Sequence, residues 1–245
     1  MFETFPNAPI IEALIDIRTQ LRQSVTLADL EALHDDIKSQ YPEKQKRMLW
    51  QGLFQLEGEK QPSATTQSKV MGYLFKSADA LQITQFRLDG FSFSRLRPYT
   101  EWEKVYAEAR RLWKIYCART KPARVTRLAT RYINSIEISS KQFDYDDYLT
   151  AAPKVPPGIP QLVEHFFTRL VVPFRDHEAT AIIMQTPSDK QDPIKTAIIL
   201  DIDVFKDVSL APDDPKIDEI FAILREIKNK AFFSSITERT MELFR

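Results

Sequence analysis

The chain has 245 residues with 34 Lys and Arg against 34 Asp and Glu, is 43% hydrophobic, and holds five Gly, three His and one Cys. One thiol excludes a disulfide framework and any cysteine-based zinc site, and neither G-x-G-x-x-G nor the Walker phosphate loop occurs. No apolar run approaches the roughly 20 residues of a bilayer span, and the first residues lack a signal peptide's basic and apolar regions, so a soluble, unprocessed, cytoplasmic protein is expected.

Residues 10–21 read as a half-buried strand, because Ile11, Ala13, Ile15 and Ile17 alternate with Glu12, Asp16 and Arg18. Thr26 is the expected N-cap of a helix through Leu30, Leu33 and Ile37 that stops at Tyr41-Pro42. Four strands are predicted over 47–57, 70–76, 81–88 and 91–97, with an exposed loop over 58–69. Asp89-Gly90 between the last two marks a type I′ hairpin turn, which needs positive φ at both positions. A helix follows over 101–116, with Trp102, Val105, Tyr106, Ala109, Leu112, Trp113 and Tyr116 on one face. Thr100 and Glu103 have the spacing of a capping box at its start.

After Lys121-Pro122 the pattern restarts. A strand over 124–138, a short helical segment over 145–150 and a link with Pro153, Pro156, Pro157 and Pro160 lead to strands over 163–174, 180–185 and 195–208, then to a helix over 216–233. A shift of 115 residues lays six of the seven apolar positions of the first long helix onto Ile217, Ile220, Phe221, Leu224, Ile227 and Ala231, with Lys228 the mismatch. The expected fold is therefore α+β, with β-α-β4-α over 1–122 and β-α-β3-α over 123–245. These halves would form one continuous unit with a curved antiparallel sheet and two long helices on one face, by analogy with the TATA-binding-protein-like repeat.

Several stretches also carry a family resemblance. They are Phe5-Pro6-Asn7-Ala8-Pro9-Ile10-Ile11-Glu12-Ala13, Phe93-Ser94-Arg95-Leu96-Arg97-Pro98-Tyr99-Thr100-Glu101-Trp102-Glu103, Arg131-Tyr132-Ile133-Asn134, and Asp201-Ile202-Asp203-Val204-Phe205 followed by Lys228-Asn229-Lys230-Ala231-Phe232-Phe233. Together they resemble a sporadically distributed family of bacterial proteins of about this length for which no activity is established. The resemblance implies one unit spanning nearly the whole chain, and it implies no activity.

Neutral charge hides a polarity along the chain. Residues 87–131 hold twelve basic side chains against four acidic, net +8, and residues 137–219 hold eight against sixteen, net −8. Opposed potentials of this kind would permit head-to-tail association of copies. The triplets Ser94-Arg95-Leu96, Thr126-Arg127-Leu128 and Thr168-Arg169-Leu170 lie on predicted strands, where alternation sends each Arg to the face opposite its Leu. Arg95, Arg97, Arg127 and Arg131, with Phe91 and Phe93 in phase with the first two, are the candidate ligand-binding residues of an open sheet face. Guanidinium groups would take phosphate or carboxylate there, and the aromatic rings could stack a base. The competing reading makes these arginines cross-strand partners of Glu12, Asp16, Glu137, Asp201 and Asp203.

The favoured function is a non-catalytic binding module for a protein partner or a nucleic acid, with homo-oligomers allowed and no cofactor or metal. The alternative is a metal-dependent phosphoryl-transfer or nuclease-like enzyme using Asp16, Asp201 and Asp203, with Arg95 and Arg131 stabilising charge. His34, His165 and His177 are isolated and read as surface residues, and Cys117 as a core filler.

Overall fold

The computed structural model describes residues 2–55, 63–140, 143–188 and 196–245, with the backbone alone for 49–55 and 63–67. Nine strands form one antiparallel sheet in the order β2-β3-β4-β5-β1-β6-β9-β8-β7. The chain is thus α+β, as its patterning indicates.

Strand β1 (Ile10–Gln20) lies near the middle and pairs with β5 (Gly90–Leu96) on one side and β6 (Arg124–Ile138) on the other. Ala13, Ile15 and Ile17 point into the core, while Leu14, Asp16 and Arg18 take the opposite face. Thr26 caps the next helix as expected, its hydroxyl accepting from the Asp29 amide while the Asp29 carboxylate accepts from the Thr26 amide. The helix runs as two short pieces, α1 (Leu27–Ala32) and α2 (His34–Ile37). His34 is half-buried, with Nε2 2.9 Å from the Tyr41 carbonyl and its ring stacked on Phe75. His165 and His177 are exposed.

Strand β2 (Glu43–Gln55) pairs with β3 (Ser63–Lys76) along the full length of both, so residues 63–69 are strand where a loop was expected. The expected loop positions 58–62, and the end of the expected strand at 56–57, lie outside the described residues. Strand β4 (Gln82–Arg87) then forms the anticipated hairpin with β5. Its turn is one residue earlier than Asp89-Gly90. Arg87 pairs with Gly90, the two-residue loop is Leu88-Asp89, and neither loop residue has positive φ, so the turn is not type I′. Gly90 serves a different purpose: its φ is +147°, and a Cβ there would sit 2.2 Å from the Ile17 carbonyl oxygen on β1.

Helix α3 (Trp102–Thr120) starts from Glu101, which makes no side-chain cap hydrogen bond, so the Thr100/Glu103 capping box does not form. The Glu103 carboxylate accepts instead from Arg225, 2.9 Å away. Helix α3 packs on β5 and β1, and α1 packs on β3. Helix α4 (Lys216–Ser235) packs on β6, β9 (Thr196–Leu210) and β8 (Ala179–Pro187). The core lies between these helices and one sheet face, where Phe86 and Phe91 meet Trp113 and Tyr116. Each such ring contributes roughly 1.5–3 kcal/mol through burial. No described helix packs on the opposite face.

In the second half, Tyr145–Asp147 forms a single 3-10 turn in place of the expected longer helical segment. The last edge strand, β7 (Thr168–Phe174), is shorter than the expected 163–174. A short helix, α5 (Glu238–Glu242), follows α4. No described helix is long and apolar enough to cross a membrane.

Candidate functional site

The helix-free sheet face carries a row in which Gly72, Arg87, Gly90, Arg18 and Arg127 lie side by side across five strands. At both glycines a Cβ would meet the backbone of the next strand, the Phe86 carbonyl oxygen and Arg87 Cα at Gly72 and the Ile17 carbonyl oxygen and Arg18 Cα at Gly90. Arg87, only 5% exposed, donates to Asp16 at 2.7 Å and to Asp89 at 3.0 Å. Arg18 donates to Asp16 at 3.2 Å and also pairs with Asp89. Arg127 lies 3.5 Å from Asp16 and 3.3 Å from Asp203, its guanidinium 4.3 Å over the Phe205 ring. Arg131 donates twice to Asp201 through Nε, at 2.9 and 3.1 Å, and again through a terminal nitrogen. That bonding lifts the Arg131 ionisation above its ordinary value. Burial lifts the Asp203 carboxyl, against the pull of Arg127 and Arg131.

The register divides the sequence candidates. Arg127 and Arg131 lie on the helix-free face with Asp16, Asp201 and Asp203. Phe91 and Phe93 pair with Ile17 and Ile15 and are fully buried beneath the helices, where no base can stack on them. Arg95 pairs with Ala13 and so shares that core face, its Nε donating to the Pro98 carbonyl at 3.3 Å. The alternation of Arg with Leu holds on both strands, but the faces are reversed: on β6 the arginine takes the helix-free face, and on β5 it shares the core face, because β5 gives its aromatic residues to the core. Arg97 lies beyond β5 and pairs with Glu137 at 3.0 Å. Each carboxylate of the expected metal trio is bound to a guanidinium, and among the described residues no cluster of three or more potential ligands gathers.

On the helix side, a cavity of about 1310 Å³ opens between the N-terminal segment, the turn into α3, β6 and the C-terminal half of α4. Its wall is mixed: Phe5, Tyr99, Trp102, Tyr132, Phe232 and Phe233 supply aromatic surface, and Glu3, Glu101, Glu103, Glu137, Arg97 and Arg225 supply charge. Tyr99 and Tyr132 place their hydroxyls 3.3 Å apart. Lys228 projects from α4 with its ammonium 3.8 Å from the Tyr132 ring centroid. Burial, with Arg225 adding repulsion, pushes the Lys228 amine down to about 7. Parts of every stretch carrying the family resemblance, apart from the strand segment 201–205, line this cavity.

Sequence reasoning passed over Lys228, although its signal was present. It is the one charged residue among the buried positions of α4. No family model and no curated protein matches this chain.

Proposed function

We propose that the chain is a non-catalytic interaction module that receives an extended, apolar segment of a protein partner along β7. One observation carries this reading. Of the nine exposed large hydrophobic side chains among the described residues, six fall within 159–172: Ile159, Leu162, Phe167, Leu170, Val171 and Val172. Strand β7 ends the sheet and is exposed on both faces, and it contains one charge, Arg169. The opposite edge is protected in the usual way, since β2 begins with Glu43, Lys44, Lys46 and Arg47. A partner strand would pair with the free main-chain groups of β7 and cover its apolar side chains. A protein is favoured over a nucleic acid because Arg87, Arg127 and Arg131 already hold carboxylates, whereas phosphate binding needs uncommitted cations.

The test compares wild type with a Leu170→Lys/Val171→Lys variant, both purified from the native host and sized by sedimentation. Wild type should retain a stoichiometric companion, or sediment as a dimer, and the folded variant should lose it. A wild type that purifies alone as a monomer, or a variant that keeps the same companion, overturns the proposal.

We also read the chain as a duplicated repeat of the TATA-binding-protein-like kind. In each half the first strand is central and the later strands run outward in reverse order, β5-β4-β3-β2 from β1 and β9-β8-β7 from β6. The 115-residue offset extends beyond the apolar stripes: buried Thr120 donates its hydroxyl to the Tyr116 carbonyl, and buried Ser235 does the same to that of Ala231. Among the described residues the second half has one strand fewer and no α-helix in the place of α1, and β7 is exposed.

A further inference from the structure

We propose that the cavity beside α4 binds an organic carboxylate with an apolar or aromatic body, its charge held by Lys228. This site is separate from the β7 edge and does not depend on it. The argument begins with an inventory of charge around the cavity. Arg97 is committed to Glu137, Arg225 to Glu103, Lys104 to Glu101 and Arg245 to Glu3. Glu226 is exposed to water at the rim. Lys228 is a nine-tenths buried side chain that lines the cavity, packed against the Tyr132 ring, and among the described residues it makes no hydrogen bond or ion pair.

A buried ammonium without an anion is unfavourable: with no counter-ion the amine gives up its proton readily, and holding the charge requires a compensating interaction. Packing alone does not call for a lysine here. The position 115 residues earlier, on α3, is Trp113, a fully buried ring whose indole nitrogen donates to the Pro212 carbonyl at 3.1 Å. A neutral side chain therefore serves at the equivalent place on the sister helix. A ligand carboxylate would supply the missing charge, and desolvation would strengthen that pairing. The aromatic wall suits an apolar body, and the cavity exceeds the roughly 300–1,000 Å³ of common small-molecule sites. One free ammonium matches one negative charge.

The experiment uses phenylacetate and octanoate as probes, with phenylacetamide and octanamide as neutral controls, followed by titration calorimetry and by NMR of the Lys228 side chain. At least one carboxylate should bind roughly tenfold or more tightly than its amide. Binding near pH 8 should take up protons, seen as a dependence of the heat on the buffer's ionisation enthalpy. Lys228→Met, which keeps an apolar side chain of similar length, should lose the preference for carboxylate over amide while remaining folded. Three results would each overturn the proposal: amides binding as tightly as carboxylates, Lys228→Met retaining the preference, or neither carboxylate moving the Lys228 resonances.

Discussion

Replacing Lys228 by Met should stabilise the folded chain, and by an amount that depends on pH in a definite direction. The amine titrates near 10.5 when unfolded and is pushed down to about 7 by burial when folded. Between those values the unfolded chain holds more protons than the folded one, so wild-type stability rises with pH across the window, and the destabilisation is complete below about pH 7. At about 1.36 kcal/mol for each tenfold change in proton affinity, the difference corresponds to about 3–5 kcal/mol. The cation–π contact with Tyr132 returns about 1 kcal/mol of that. Urea unfolding followed by circular dichroism at pH 6, 8 and 10 would measure the effect. Lys228→Met should exceed wild type by about 2–4 kcal/mol at pH 6, and the gap should narrow to about 1 kcal/mol by pH 10. Parallel pH profiles for the two proteins would refute the reasoning, because they would mean that the ammonium is hydrated or paired in the folded chain.

Gly90→Ala should destabilise by more than about 3 kcal/mol in the same assay, since the new methyl would meet the Ile17 carbonyl oxygen at 2.2 Å and the Arg18 Cα at 2.9 Å, backbone atoms that cannot swing aside. A loss under about 1 kcal/mol would show that β1 and β5 separate easily there. Arg87→Met should lower stability by about 2 kcal/mol, less than a fully orphaned buried charge because Asp16 keeps Arg18 and Arg127. An unchanged urea midpoint would place the Asp16 charge in water. The Cys117 thiol, pushed up to about 12 by burial, should react with iodoacetamide at pH 8 at least about a hundredfold more slowly in the folded chain than in urea, and equal rates would contradict its burial.

The parts of the fold that were legible are those where period and burial coincide. On β1 the alternation of Ala13, Ile15 and Ile17 with charged residues marks the core face, and on α3 the stripe from Trp102 to Tyr116 does the same. Residues 63–69 were unreadable because Ser63, Thr65, Thr66, Gln67 and Ser68 carry no apolar rhythm; backbone pairing to β2 makes them strand. The hairpin was legible as a hairpin, but its turn shifted because Gly90 answers to the β1 backbone rather than to the turn. Phe91, Phe93 and Arg95 do share a face, as their spacing requires. Which face that is depends on β5 lying under α3, a tertiary fact that parity within one strand does not contain.

The charge polarity of the sequence has a structural resolution that its linear form conceals. Arg127 and Arg131 come from the basic stretch and Asp201 and Asp203 from the acidic one, and the β6–β9 pairing sets them against each other. The helices repeat the arrangement, with Arg110 of α3 on Asp218 of α4 at 2.9 Å. These contacts pair part of the charge of one stretch with part of the other's, which lessens the opposition between them. Long-range steering of a charged partner is weakened for the same reason. What the folded surface retains is an apolar edge at β7 and, inside, one ammonium without an anion at Lys228. Neither registers in a net charge of zero, and the recognition proposed for each is by short-range contact: main-chain pairing and apolar burial at the edge, and a single charge pair within the cavity.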